Sequence, residues 1–352
     1  MSASRKRSRR SGHPSGRPAQ RRIVTAPLPD VRIPQTPQQE SRPAVRPISE
    51  QGALPPDGAE YPLILRGETH VWWRSLLGAL FGLSLFLLLT AVVSQALVSL
   101  FWATTANDQV YRDYYTDAFA FRSPLGMLAV NLGIATLIPI SWGLVMVVHQ
   151  VRPRWLFSVA PGIRWRYLLG CLAIAAVTLI GVSLLSTMVQ EPLRFGVQQG
   201  FWGFFAVIVL TSPVQAVAEE IFFRGYLMQA LGSLVRTPWF GVIVSSVVFA
   251  LLHGTQNLPL FVDRLAFGLL AAILVWRTGG LEAGIAAHVI NNVCAYLIAG
   301  LTSSIATLKA IREIGWLDAV FDVGAFALFA LLAYLFWTRL RLRRRVDLSA
   351  LR

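Results

Sequence analysis

The sequence has few charged residues: Asp, Glu, Lys and Arg together make up 14% of its 352 residues, while 55% are hydrophobic. An ordinary soluble domain has roughly a quarter of its residues charged, so this composition excludes a conventional water-soluble protein. Cysteine is also scarce, since Cys171 and Cys294 are the only two and each lies in an apolar run. A disulfide framework and a cysteine-rich zinc site are therefore excluded.

We also expect no cleaved secretory signal, because the first long apolar run begins only near Leu76. The segment before it is rich in proline, and its first 22 residues carry eight Lys or Arg and no Asp or Glu. Such a composition cannot bury a hydrophobic core. We predict an uncleaved, disordered basic tail over residues 1–73, whose partner is anionic lipid headgroups in preference to nucleic acid.

Eight apolar windows follow, and most approach the length of about 20 residues that a helix needs to cross a bilayer. They predict an all-α, polytopic membrane protein with about eight transmembrane helices over residues 74–338, followed by a basic tail over 339–352. The fourth window is too long for one straight span, so we expect its helix to be tilted or broken near Pro213. The windows are 76–102, 125–148, 167–189, 200–231, 239–253, 258–276, 281–301 and 319–338.

The orientation follows from the short basic segments. Lys and Arg are concentrated in the two tails and in the connection that contains Arg152, Arg154, Arg164 and Arg166. Because basic segments stay on the cytoplasmic side, we predict an integral membrane protein with both termini in the cytoplasm. The Arg-rich, Lys-poor tails favour a bacterial plasma membrane.

Three clusters of polar residues interrupt the apolar windows, where an ionisable group is costly and indicates function. In the first, Glu220 and Arg224 are spaced to form an ion pair on one helix face. Glu219 points about 100° away from Glu220 and is left to face something else. A carboxylate in this position is a candidate acid or base.

The other two clusters are Phe249 with His253, and His288 with Asn292. Each pair is spaced by four residues, so its members share a helix face. Glu219 and His253 are each 17 residues from Arg236, in the connection between the fourth and fifth windows. In an antiparallel hairpin both would lie about 22 to 25 Å from that turn, well inside the membrane. His288 begins shallower, so its approach to Glu219 requires a deeper turn or unequal helix tilt.

Glu-Glu-x-x-x-Arg, Phe-x-x-x-His and His-x-x-x-Asn, in this order on successive membrane helices, resemble the CPBP family of intramembrane proteases. This family, also called Abi and named for CAAX proteases and bacteriocin processing, includes the type II CAAX prenyl endopeptidases. The resemblance covers a core of about residues 200–300. It implies an endopeptidase that cuts a membrane-associated or lipidated, CAAX-like protein or peptide.

The resemblance implies that Glu219 and His253 activate water and that His288 and Asn292 stabilise the oxyanion. Glu220, Arg224 and Phe249 would support them. Asn291 could replace Asn292 as a donor, but the family pattern selects Asn292. No cofactor is required by this reading, although Glu219, His253 and His288 together form a legitimate zinc set, so both a metalloprotease and a glutamate-dependent mechanism stay open.

Other readings of the same residues remain. A non-catalytic membrane scaffold or immunity-type protein would use the polar core for structure alone, and a proton or metal transporter would also bury Glu and His. Three further polar residues are not expected to take part in the chemistry. We expect Asp263 and Arg264 to form an interface pair. Glu282 is expected near the headgroups at the cytoplasmic end of the seventh span.

Overall fold

Helices form nearly all the regular structure in the computed structural model, which describes residues 52–105, 108–189 and 195–351. The predicted lipid contacts of the basic cluster near the N-terminus lie outside the described residues. Within these ranges there are isolated β-bridges and no strand. The α-helices are α1 (Trp72–Thr104), α2 (Tyr111–Phe119), α3 (Pro124–Ala135), α4 (Leu137–Val147), α5 (Trp165–Val189), α6 (Phe201–Glu220), α7 (Met228–Val235), α8 (Pro238–Leu251), α9 (Leu258–Thr278), α10 (Glu282–Thr302), α11 (Ile305–Ala310) and α12 (Trp316–Arg339).

The predicted all-α, polytopic membrane class is confirmed. Among the described residues, 7 helical stretches are long and apolar enough to cross a membrane: α1, α3 with α4, α5, α6 through α7, α9, α10 and α12. The remaining predicted window, the fifth at 239–253, corresponds to α8, which has only 14 residues. At 1.5 Å per residue α8 covers about 21 Å and ends part-way through a bilayer of about 30 Å. The predicted number of eight spans is therefore approximate.

The long fourth span is a helix of 35 residues, Phe201–Val235, that changes its winding in the middle. Pro213 lies inside α6 without ending it. The change comes later, where Ile221–Leu227 forms a π-helical segment directly after the two glutamates. The predicted break near Pro213 is therefore wrong. A π-helical turn is wider than an α-turn and is frequent at functional sites.

The turn between α9 and α10 is buried, which brings the start of α10 deep into the protein. Gly279 takes a left-handed conformation with φ of 72° at the end of α9. The turn is covered by the loop before α5, because the Leu281 N–H donates to the Phe157 carbonyl over 2.8 Å. Arg164 from that loop holds the Glu282 carboxylate over 2.6 Å, and Glu282 is 1% exposed. Glu282 is therefore enclosed by protein at the start of α10, and both its expected place near the headgroups and the depth of this turn in the membrane stay predictions.

The two segments that flank the membrane domain also pack against this end. Tyr61 lies in a 3₁₀ turn, Tyr61–Arg66, is fully buried, and donates a hydrogen bond to the Leu156 carbonyl. The predicted disordered tail over residues 1–73 therefore does not extend through residues 52–73, because apolar side chains such as Ile64 find a core to join.

Glu60 ties the two flanking segments together. Its carboxylate accepts hydrogen bonds from Trp276 and Arg345 over 2.8 and 3.1 Å, and Arg344 lies at 3.3 Å. Burial alone would raise the pKa of Glu60, but these hydrogen bonds and the charge of Arg344 lower it below its usual value. We name this end of the helices, formed by residues 52–66, 153–164 and 341–346, the sealed end.

Candidate active site

His288 on α10 joins the two glutamates of α6. Its Nε2 atom lies 3.2 Å from Oε2 of Glu219, and its Nδ1 atom lies 2.8 Å from Oε1 of Glu220. The buried turn before α10 makes this contact possible, because it places His288 at the depth where α6 meets the π-helical segment. Two of the three polar clusters predicted from the sequence are therefore in direct contact.

The adjacent carboxylates have different surroundings. Glu220 is fully buried and forms an ion pair with Arg224 over 2.8 Å, as the spacing predicts. The side chain of Glu219 is 13% exposed and forms no ion pair with an arginine among the described residues. The two glutamates thus divide as the sequence predicts, with Glu220 paired and Glu219 accessible.

Aromatic rings enclose the buried part of the site. The Arg224 guanidinium lies 4.1 Å from the ring centre of Phe249 and 5.3 Å from that of Phe267. The same two rings contact His288, at centroid distances of 6.0 and 5.2 Å. Such cation–π contacts are stronger where water is excluded. Phe249 was predicted as a supporting residue, whereas Phe267 was missed because one more aromatic residue in an apolar helix carries no signal.

His253 follows the end of α8 and is exposed. Its Nδ1 atom donates to the Phe249 carbonyl over 2.8 Å, and its ring lies 4.7 Å from the Phe249 ring. Because Nδ1 carries the hydrogen in this contact, Nε2 of a neutral ring is left with a lone pair. His253 and Glu219 interact electrostatically, so the third predicted cluster lies beside the first two.

Asn292 is connected to Glu219 through a residue that the sequence analysis missed. Its Nδ2 atom donates to Oε1 of Gln215 over 3.1 Å, and Gln215 hydrogen-bonds the Glu219 carboxylate. Gln215 lies one turn before Glu219 in an apolar helix. A polar residue in that position was the signal that could have identified it from the sequence. Asn291 contacts the site only through Asn292, since its Nδ2 atom donates to Oδ1 of Asn292 over 3.3 Å.

The residues do not fit a zinc site. In the part of the chain that the structure describes, no group of three or more His, Cys, Asp or Glu side chains could hold a metal ion. Both ring nitrogens of His288 lie within hydrogen-bond distance of carboxylate oxygens, and a nitrogen that donates its hydrogen has no lone pair for a metal. The candidate set of Glu219, His253 and His288 therefore gives no support to a metalloprotease.

Comparison with known proteins agrees with this geometry. Residues 201–294 match the family model described as type II CAAX prenyl endopeptidase, Rce1-like. We name residues 201–294 the Rce1-like segment after this match. It contains all three motifs, and the resemblance predicted from them is confirmed. No solved structure matches the chain.

A curated relative of this chain is the uncharacterized protein YyaK of Bacillus subtilis. The two are 32% identical over 106 residues, which is 28% of this chain and 35% of YyaK. The chain thus spans about a third of the length of the curated relative that it matches.

The contact between α6 and α10 requires a glycine. A Cβ atom at Gly284 would lie 2.7 Å from Oε2 of Glu220, which is closer than real Cβ atoms come to any atom. We expect Gly284→Ala to lower the free energy of unfolding by about 1–3 kcal/mol, because the buried carboxylate must move. Gly143→Ala is the matched control, since nothing lies within 4 Å of its Cβ position. Equal unfolding midpoints for the two variants in the same detergent would contradict this packing.

Proposed function

We propose that this protein is an intramembrane endopeptidase that hydrolyses a peptide bond in a membrane-associated or lipidated, CAAX-like protein or peptide. The observation that carries the proposal is the accessible Glu219 carboxylate, which is held by His288 and Gln215 inside the Rce1-like segment. A desolvated carboxylate that can still reach water is a competent general base. The family match supports the coarser conclusion of a protease, and the mechanism below is our proposal.

The reaction begins with a water molecule beside Glu219 and His253. Glu219 accepts a proton from this water, and the oxygen attacks the carbonyl carbon of the scissile peptide bond. A tetrahedral intermediate forms, with the negative charge on the former carbonyl oxygen. The proton then passes to the amide nitrogen, the C–N bond breaks, and the products are a carboxylate and an amine. His253 supports proton transfer through its free Nε2 atom.

Asn292 is the candidate donor to the tetrahedral oxygen, and His288 joins it only when its Nε2–H leaves Glu219 after that carboxylate has accepted the proton from water. The Asn292 amide has two N–H groups, and Gln215 accepts only one of them. His288 approaches from the same helix, one turn earlier. Such donors gain strength where water is scarce, as it is at this depth.

Glu220 and Arg224 have a positioning role in this mechanism. The Glu220 carboxylate accepts from both Arg224 and His288, each over 2.8 Å. This fixes the His288 ring and leaves its Nε2 atom directed at Glu219. Phe249 and Phe267 keep water away from the group.

The choice between the two asparagines gives a direct test of the oxyanion role. We expect Asn292→Ala to lower the turnover number by about 10²-fold, the usual loss when one oxyanion donor is removed. Asn291→Ala should change it by less than about threefold, because Asn291 reaches the site only through Asn292. The assay follows cleavage of an S-farnesylated Cys-aliphatic-aliphatic-X peptide by mass spectrometry. Equal losses for both variants would remove Asn292 from the mechanism.

We further propose a bacterial plasma membrane as the location, with both termini and the sealed end in the cytoplasm. The sealed end carries most of the arginines of the described loops, including Arg154, Arg164, Arg344 and Arg345. These groups would contact anionic lipids. Fusing a reporter that is active only in the cytoplasm to either terminus tests the orientation, and a silent C-terminal fusion would contradict it.

A further inference from the structure

The end of the helix bundle opposite the sealed end carries cations close to the catalytic carboxylate. His253 and residues 251–255 are exposed there, in contrast to the buried turn and loops of the sealed end. Lys309 on α11, Arg312 just after it, and Arg264 on α9 lie on this open side. We name these three residues the cationic rim.

Lys309 is the member of the rim most directly linked to the site. Its ammonium group interacts electrostatically with Glu219. It lies 4.7 Å from the ring centre of Phe121, which in turn contacts Tyr296 at 6.3 Å. Tyr296 follows Asn292 by one helical turn on α10. A continuous path of side chains therefore joins Lys309 to the catalytic residues.

The ammonium group of Lys309 has no hydrogen bond or ion pair within the described residues. The side chain is exposed to water, yet desolvation by the surrounding protein lowers its pKa, and the nearby Arg312 and Arg264 add to this effect. Such a cation is available to a ligand.

The two arginines of the rim use neutral acceptors for their hydrogen bonds. Arg312 donates to the carbonyl oxygens of Lys309 and Ile311 over 2.9 and 2.8 Å. Arg264 donates to the Gln256 side chain over 2.9 Å and interacts electrostatically with Asp263, without the direct ion pair that the sequence analysis expected. Carboxylates lie on the same side, among them Glu313 and Asp322, so the feature that favours an anionic ligand is the ammonium group of Lys309, which forms no direct ion pair within the described residues.

We propose that the cationic rim, with Lys309 as its centre, binds a carboxylate of the peptide substrate and so positions the scissile bond at Glu219. This inference rests on the proposed protease function and adds a specificity-determining residue to it. The contacts of Lys309 with Phe121 and of Phe121 with Tyr296 connect the rim to α10, the helix that carries Asn292 and His288. The chain-terminal carboxylate of a short leaving peptide fits this position, and a charge-assisted hydrogen bond would hold it there.

The test compares two S-farnesylated Cys-aliphatic-aliphatic-X peptides that are identical except for a free carboxylate or a carboxamide at the C-terminus. Binding is measured by fluorescence anisotropy in phosphatidylcholine nanodiscs, with Glu219→Gln present to prevent turnover. We expect about tenfold tighter binding of the carboxylate peptide. Adding Lys309→Gln should remove this preference, and adding Lys309→Arg should retain it.

Arg122→Gln is the matched control, because Arg122 lies before α3 at the same end of the helices and is paired with Asp117. It should leave the preference unchanged. Equal binding of the two peptides, or a preference that survives Lys309→Gln, would overturn the proposal. A preference seen only after phosphatidylglycerol is added would assign the rim to lipid headgroups and overturn it as well.

Cleavage by the unsubstituted chain is measured separately with the same peptides. Cleavage without a carboxylate preference would reject the rim and leave the protease intact. A carboxylate preference without cleavage would support the rim as an anion site and reject the protease.

Discussion

Glu219→Gln should lower peptide cleavage by about 10³-fold while the protein remains folded. A general base contributes about 10²- to 10⁴-fold to a hydrolysis rate, and the glutamine amide cannot accept the proton from water. Its carbonyl oxygen can still accept the hydrogen bond from His288, so the packing is retained. The measurement is the cleavage rate of the farnesylated peptide at saturating concentration, together with the thermal unfolding midpoint of each protein.

Glu313→Gln is the matched control for this prediction. Glu313 is an exposed carboxylate on the open side, in the loop between α11 and α12, so its replacement removes the same charge without touching the site. It should retain the native rate. If Glu219→Gln stays within tenfold of native cleavage, the carboxylate is not the base and the scaffold interpretation gains support.

Arg224→Met should be the most destabilising substitution in the site, with a loss of about 3–5 kcal/mol of unfolding free energy. The guanidinium is 1% exposed and pairs with a carboxylate that is fully buried, so its removal leaves the charge of Glu220 without its arginine. The contacts with Phe249 and Phe267 are lost at the same time. The free energy is measured by denaturant titration in mixed micelles.

Two further variants separate charge burial from general damage. The double variant Glu220→Gln with Arg224→Met should be more stable than Arg224→Met alone, because no unpaired charge remains in the core. Arg122→Met breaks the exposed ion pair with Asp117, which has a similar length of 2.7 Å, and should cost less than about 1 kcal/mol. Equal free energies of unfolding for Arg224→Met and Arg122→Met would contradict the stabilising role of the buried pair between Arg224 and Glu220.

Much of the site could be predicted because its residues break a strong pattern. A carboxylate or a histidine in an apolar helix is conspicuous, and spacing alone pairs Glu220 with Arg224. The equal distances of Glu219 and His253 from Arg236 also indicated that these residues approach each other. These predictions rest on helix periodicity and helix length, which the sequence reports directly.

Other features depend on tertiary packing and have no local signature. The π-helical winding of Ile221–Leu227 has no signature in a run of aromatic and aliphatic residues, so the length of the fourth span was explained by a tilt or by a break near Pro213. The buried turn at Gly279 could not be located, because its depth comes from the loop that holds Glu282 through Arg164. Lys309 was missed because α11 lies outside the three motifs.

The central claim is that Glu219 makes this membrane protein a protease. The most direct test compares peptide termini in membranes of cells that carry the native protein or Glu219→Gln at matched expression. We predict a set of new termini in the native membranes that is absent from the variant, which would also identify the substrate. Identical termini in both, under conditions where deletion of the protein has a phenotype, would contradict the claim.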